Sequence, residues 1–337
     1  MRKLLLTSSA LVAAASISSY AVADVSVSGE FEWAYKSASS GIAASDGDSF
    51  AQDNEIVISF SNKTDSGLTI GGKFEMDVGA ANATTDESVL TISGGFGTFR
   101  LGQEDSVHET FGIAETDLID EEGDGRFVSA TPASHTIAQN AGEQGSGDGN
   151  KFAYVTPAMG GFQAGISVQD SGDDATTDMT AVGAKYVMPM AGGSLEVRYN
   201  QSTLDGTTDT DTTNMGAKLT MGAMSLIVSS MTDETGTTED QEGTGFGIKY
   251  DMGGGLTIAA SATEVEDTAD TSGGENEKYT ANIGEVVYTV APGLKAKVTY
   301  TDYEYKDGGQ TNVGDDAGQI TQLTLTCLLY TSDAADE

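Results

Sequence analysis

From Val25 the chain alternates. Val25, Val27, Phe31, Trp33 and Tyr35 take one parity, with Gly29 among them, and Ser26, Ser28, Glu30, Glu32 and Lys36 take the other. A period of two puts successive side chains on opposite faces of a strand, where a helix would space its apolar residues three or four apart. The pattern returns as Ile56, Ile58 and Phe60, then Leu68, Ile70, Phe74, Met76 and Val78, and so on down to Thr321, Leu323 and Leu325, sixteen segments in all. One segment is irregular. Tyr279, Ala281 and Ile283 set a parity that changes to Val286, Tyr288 and Val290, so a β-bulge is expected near Gly284-Glu285.

The apolar parity carries no Asp, Glu, Lys or Arg; Lys73, Glu75, Asp77, Arg100, Glu196, Arg198, Lys218, Lys249, Lys295 and Lys297 all take the other. A soluble sandwich hides such an apolar face in its core. A barrel in lipid turns it outward and keeps the charged face for its lumen. The connections separate the two. Seven are short and built from Gly, Pro and Asn, as at Gly94–Gly97, Gly222-Ala223 and Ala291–Gly293. Eight are longer and rich in Asp, Glu, Thr and Gly, and the two kinds alternate along the chain. That order makes an up-and-down meander with its tight turns at one end, as in outer-membrane barrels. Greek-key crossovers would break it. An even strand count also lets the first and last strands pair, leaving no edge unsatisfied in lipid. The expected fold is all-β: a transmembrane antiparallel up-and-down β-barrel of sixteen strands.

Both ends stand outside the pattern. Arg2 and Lys3, the apolar run Leu4 to Ala15 and the small residues Ala21-Val22-Ala23 read as a signal peptide over 1–23, too short to span a bilayer. Export to the outer membrane of a Gram-negative bacterium follows. At the other end, Cys327-Leu328-Leu329-Tyr330 and the residues to Glu337 are read as a break in the alternation, resembling a translated sequencing adaptor, so the barrel is expected over 24–326 and 327–337 is expected to be non-native. Those 303 residues hold 49 acidic and 14 basic side chains, a charge of −35. Such a charge argues against nucleic acid as a partner. With Cys327 the sole cysteine, no internal disulfide holds the fold.

Several segments resemble the general bacterial porins. Gly94-Gly95-Phe96-Gly97-Thr98-Phe99-Arg100-Leu101-Gly102-Gln103-Glu104-Asp105 looks like the turn and strand that lead into the porin constriction loop. Lys151 to Pro157 with Gly161 to Gly165 resembles the return hairpin, and Val290-Ala291-Pro292-Gly293-Leu294 a late turn. The resemblance implies a homotrimer in outer-membrane lipid, each barrel enclosing a water-filled pore for small hydrophilic solutes and ions. It also implies that the longest connection, 106–150, folds into the barrel as the constriction loop. The family's last strand ends on an aromatic residue, and Thr326 with its tail departs from that.

The long segment carries Glu109, Glu115, Asp117, Asp120, Glu121, Glu122 and Asp124, while Lys36, Lys73, Arg100 and Arg198 lie on the lumen parity of the wall. Loop acids facing wall bases would set a transverse field, and the excess of acids implies a preference for cations. A solvated acidic loop and a calcium site at Asp117, Asp120, Glu121 and Asp124 are the other readings of the run; the spacing matches no EF-hand, and no other cofactor is indicated. His108 and His135 fall in the same segment near Ser106 and Ser134 without nucleophile-elbow or zinc spacing, so they are expected as solvent-exposed loop residues and no enzyme is expected. Trp33 and Tyr35 fit either an interfacial girdle or a trimer contact. The alternative functions are a substrate-specific channel and a structural or adhesive barrel.

Overall fold

The computed structural model describes residues 24–40, 46–78, 84–121, 137–142, 149–170, 178–206, 208–236, 239–269, 276–307 and 315–330. The expected signal peptide at 1–23 lies outside them, as do Glu122, Asp124, Ser134, His135 and residues 331–337.

Sixteen strands follow in order: β1 (Asp24–Ser39), β2 (Gly47–Lys63), β3 (Thr69–Asp77), β4 (Thr84–Gly94), β5 (Gly97–Gln103), β6 (Asn150–Val155), β7 (Phe162–Gln169), β8 (Asp178–Met190), β9 (Gly193–Asp205), β10 (Thr210–Met221), β11 (Met224–Thr235), β12 (Glu239–Gly253), β13 (Leu256–Asp267), β14 (Glu277–Ala291), β15 (Leu294–Asp307) and β16 (Asp316–Tyr330). Each pairs with its neighbours in sequence, and β16 closes on β1, so the sheet is a closed barrel. All seven short turns fall at one end, where the chain reverses fastest on glycine. In the two-residue turn between β10 and β11, Gly222 has φ +57°, a conformation L side chains rarely adopt.

One face of the strands is an exposed apolar belt that includes Phe74, Phe152, Val197, Phe246, Tyr288 and Leu325. A closed cylinder showing this belt outward satisfies every backbone group between neighbours and is made for lipid. Among the described residues no helix is long and apolar enough to cross a membrane.

Three expectations change. First, β14 has no bulge at Gly284-Glu285: its pairing with β13 and β15 runs unbroken there, and the register shift lies at Thr289/Ala291, beside the turn. Tyr279, Ala281, Ile283, Glu285 and Val287 are all buried on the inner face, while Val286, Tyr288 and Val290 belong to the outer belt. The parity of the strand never slips. Its inner face becomes apolar because protein, not water, covers it.

Second, the longer connections are partly strand. β11 runs to Thr235 and β12 starts at Glu239, with Thr235 paired to Glu239. Polar residues such as Thr232 and Thr235 continue the ladder, since β-branched threonine suits a strand whatever its polarity. Third, β16 does not stop at Thr326. Cys327 pairs with both Phe31 and Leu294, and Tyr330 pairs with Ser28. Leu323, Leu325 and Leu329 are all exposed at one parity, so the alternation continues past the expected boundary.

The largest buried apolar cluster lies inside the barrel. Ile137, Ala138 and Ala141 of the long connection pack on Met231, Val265, Tyr279, Tyr303, Tyr305 and Ile320 of the inner wall. Full burial of side chains this size stabilises by about 1.5–3 kcal/mol each. The tyrosine hydroxyls keep polar partners, Tyr303 donating to Asp316 Oδ2 at 2.8 Å and Tyr305 to Glu277.

Candidate functional site: the lumen and its inner loop

The connection between β5 and β6 enters the barrel immediately. A single helical turn, α1 (Val107–Thr110), is capped by Ser106, whose Oγ accepts the His108 N–H at 3.1 Å. A 3-10 turn follows at Glu115–Leu118. Wall side chains then hold the segment by its backbone. Asn214 of β10 accepts the Ile113 N–H on Oδ1 at 2.8 Å and donates Nδ2 to Ile113 O at 2.9 Å and Ala141 O at 3.1 Å. Its amide thus pairs with the loop as another strand would. Glu285 of β14 accepts the Asp120 N–H at 2.6 Å and the Glu121 N–H at 2.9 Å.

Glycines on the inner face let the loop lie this close. A Cβ added at Gly247 of β12 would stand 2.2 Å from Glu115 O, and one at Gly245 would stand 2.1 Å from Glu115 Oε2. Neither position leaves room for a side chain while Glu115 stays in place.

The carboxylates expected at the constriction divide. Glu115 and Glu121 are fully buried and cannot line an open pore. Glu115 accepts from Ser229 Oγ at 2.7 Å, from Thr263 and from the Ala141 N–H at 3.2 Å. Burial pushes its carboxyl above the ordinary range, outweighing those hydrogen bonds, which favour the charged form. Glu121 pairs with Lys297 at 2.9 Å and accepts from Gln322. Asp120 pairs with Lys295 at 3.1 Å. Burial alone would raise Asp120, but Lys295 and Lys297 override it and hold the carboxyl below the usual range. Glu109 and Asp117 are half-buried.

His108 is also fully buried, with Nε2 3.3 Å from Thr212 Oγ1, and is not the solvent-exposed residue expected. Its place in α1, between the loop and the wall, removes it from water. Among the described residues no group of three or more His, Cys, Asp or Glu gathers as a metal site would need. Of the four carboxylates read as calcium ligands, Asp120 and Glu121 have lysine partners and Asp124 is outside the described residues.

The expected basic wall is largely compensated. Lys73 pairs with Glu75 at 2.9 Å and with Glu87. Arg100 reaches Glu104 at 3.1 Å and donates to Thr110 Oγ1 at 2.8 Å. Arg198 pairs with Glu196 and donates to Gly112 O at 2.6 Å. Lys36 is half-buried on the inner face. The lysines that hold Asp120 and Glu121 of the loop, Lys295 and Lys297, were legible only as inner-parity charges. Lys297 also pairs with Glu32 at 2.9 Å, and Thr326 donates to the same carboxylate at 2.8 Å, tying loop, β15, β16 and β1 at the closing seam. Outside the barrel, Trp33 stacks on Phe50 with centroids 5.2 Å apart, and Tyr35 meets the same ring at 5.6 Å.

Acids instead line the wall made by β1, β2 and β3. Glu30 stands directly opposite Glu55, Glu55 opposite Asp77, and Glu32 opposite Asp53. Glu30 is exposed, and Asp53, Glu55 and Asp77 are half-buried.

No curated protein sequence matches the chain. Solved structures do. An anion-selective porin from Comamonas acidovorans aligns with a TM-score of 0.68 at 15% identity, over 91% of this chain and 100% of its own. OmpT, an outer membrane protein of Vibrio cholerae in its trimer form, aligns with 0.68 at 12% identity, over 91% and 99%. A mutant of the Rh. blastica porin aligns with 0.62 at 17% identity, over 91% and 100%. At such identities these likenesses speak for the fold. The sequence itself matches the profile of the Gram-negative porins over residues 7–308, so this barrel belongs to the Gram-negative porin family and is an outer-membrane porin channel.

Proposed function

We propose that the channel passes small hydrophilic solutes and ions passively, prefers cations, and works as a homotrimer after cleavage of residues 1–23. The acidic wall carries the preference. Like charges directly opposite across a strand pair destabilise it by roughly 0.2–1 kcal/mol. Three such pairs stand together on β1–β3. Rings and strips of carboxylate are how pores favour cations. The structural relative described as anion-selective makes the sign a sharp question for this chain. Planar bilayers under a potassium chloride gradient answer it. The expected reversal potential is cation-selective, and Glu30→Gln with Glu55→Gln brings it toward zero. Anion preference in the unaltered protein would overturn the reading. The trimer form of one relative supports the homotrimer, which cross-linking in detergent tests; monomer alone would refute it.

A further inference from the structure

The inner loop reaches the seam where the barrel closes. We propose that Asp120 and Glu121 act there as a closure clamp: they hold Lys297 in its reach across β16 to Glu32 and so slow the parting of β1 from β16.

The seam is the weak joint of such a barrel. Every other pair of neighbouring strands is joined by the connection between them, but β1 and β16 are the first and last strands. The bond from Thr326 to Glu32 joins residues 294 apart in the chain. Bringing such distant residues together costs more chain entropy than closing a hairpin. Parting them leaves two unpaired strand edges in lipid. No disulfide spans the seam, since the chain's one cysteine, Cys327, is free.

Side chains brace the seam from within. Lys297 of β15 shares a row with Thr324 of β16 and Ala34 of β1. The small side chains of Thr324 and Ala34 leave the lysine a path across β16, and its ammonium meets Glu32, two residues before Ala34, at 2.9 Å. Thr326 donates to the same carboxylate at 2.8 Å. Glu32 of β1 is thus held by β15 and β16 at once.

The loop completes the brace. An ammonium has three N–H donors. Besides Glu32, that of Lys297 meets the Glu121 carboxylate at 2.9 Å and the Asp120 carbonyl at 3.3 Å, both on the loop. Gln322 of β16 also donates to Glu121, and Glu285 of β14 fixes the loop through the N–H groups of both residues. The cluster is dry: the side chains of Lys297, Glu32 and Glu121 are 4%, 3% and 0% exposed. A free lysine side chain has wide rotamer freedom, and water would weaken its pair with Glu32. Pinned and shielded by the loop, the same pair resists opening.

Trp33 reports on this seam. It is the chain's only tryptophan and stands directly opposite Leu325 of β16. Unfolding by urea in detergent, followed by its emission, tests the clamp in three backgrounds. In the otherwise unaltered protein we expect Glu121→Gln to speed the change about tenfold, the scale of one charge-assisted hydrogen bond. With Glu32→Gln already present it should add almost nothing, because the loop's hold on the seam runs through that carboxylate. The third background joins Ser37→Cys to Thr321→Cys, directly opposite across the seam, by a short bismaleimide in a Cys327→Ser protein. There too the acceleration should vanish. Should Glu121→Gln fail to fold, Gln322→Leu replaces it: this removes the other bond to Glu121, keeps every charge, and should give a smaller acceleration with the same pattern. No acceleration in the first background overturns the proposal. So does equal acceleration in all three, which would make the loop a general support of the barrel and not a clamp on its seam.

Discussion

On β1–β3 four of the opposed acids of the inner wall are exposed or half-buried, and on β10–β14 the inner wall meets the loop. The first wall carries Glu30, Asp53, Glu55 and Asp77 in opposed pairs. The second is floored by Gly216, Gly245 and Gly247 and roofed by Ile113, Glu115 and Ile119, with Tyr279 and Ala281 buried further along. Both are inner faces of one barrel with one period. Polarity on the inside is therefore set by what covers the strand, and an inner face can be read as water-lined only where nothing folds onto it.

The change with the largest expected effect attacks the loop's grip on the second wall. Asn214→Leu removes the partner of the Ile113 N–H and of the Ile113 and Ala141 carbonyls. Each buried group left unsatisfied costs about 1–3 kcal/mol. The loop should detach while the barrel persists. Single-channel conductance should rise and protease should cut within 106–142, with the heat-modifiable band retained. A conductance equal to the unaltered protein would show that the loop is held elsewhere.

Gly247→Val should act next most strongly, because its side chain must displace Glu115 O. Overpacking of this kind typically costs about 1–3 kcal/mol. Gly284→Ala is the control on the outer side of the same barrel, since nothing lies within 4 Å of its added Cβ. Thermal unfolding of the two variants should differ clearly, and equal loss in both would contradict the idea of a glycine floor.

How much of this was legible in the sequence follows the same division. Strand number, turn order and closure were, because the outer belt repeats at period two wherever lipid is the neighbour. The misread side chains cluster where the loop lies. Tyr279, Ala281 and Ile283 looked like a phase slip because an apolar inner face mimics an outer one. Glu115, Glu121 and His108 looked solvent-facing because a loop's polarity does not show which of its residues turn toward a wall. One signal was present and unread: Gly243, Gly245 and Gly247 occupy three successive inner positions of β12, which only a close-lying neighbour explains. Lys295 and Lys297 were visible as inner charges, but Asp120, the loop partner of Lys295, is 175 residues earlier in the chain, and Glu32, a partner of Lys297, is 265 earlier, so no local pattern links them.

The pH dependence of docking is the next effect in size, and its two carboxylates pull in opposite directions. Glu115, raised by burial, binds a proton more readily when docked, so its contribution is full on the acid side and is lost as pH climbs above the ordinary carboxylate range. Asp120, lowered by Lys295 and Lys297 against its own desolvation, contributes at neutral pH and is lost as pH falls below that range. Hydrogen exchange of the 113–121 amides, corrected for intrinsic rate, should be slowest between the two limits. Glu115→Gln should remove the weakening toward neutral pH and leave the acid-side loss; Asp120→Asn should do the converse. Identical profiles in all three proteins would refute the assignment.

The smallest effect belongs to the first wall. Glu30→Gln relieves its opposition to Glu55, and Asp77→Asn relieves that residue's opposition to the same carboxylate. Each should stabilise the barrel by only about 0.2–1 kcal/mol, since water and salt already screen these groups. The gain should shrink as salt is raised, which the loop-side variants should not do, because their groups are buried from counter-ions. Urea titrations in lipid vesicles at low and high ionic strength measure both. If the acidic wall is kept for conduction and the glycine floor for packing, easing the first makes a firmer and less selective barrel, while filling the second makes a weaker one. A destabilising Glu30→Gln would mean that this carboxylate is held by a structural partner, and the division between the two walls would fail at that residue.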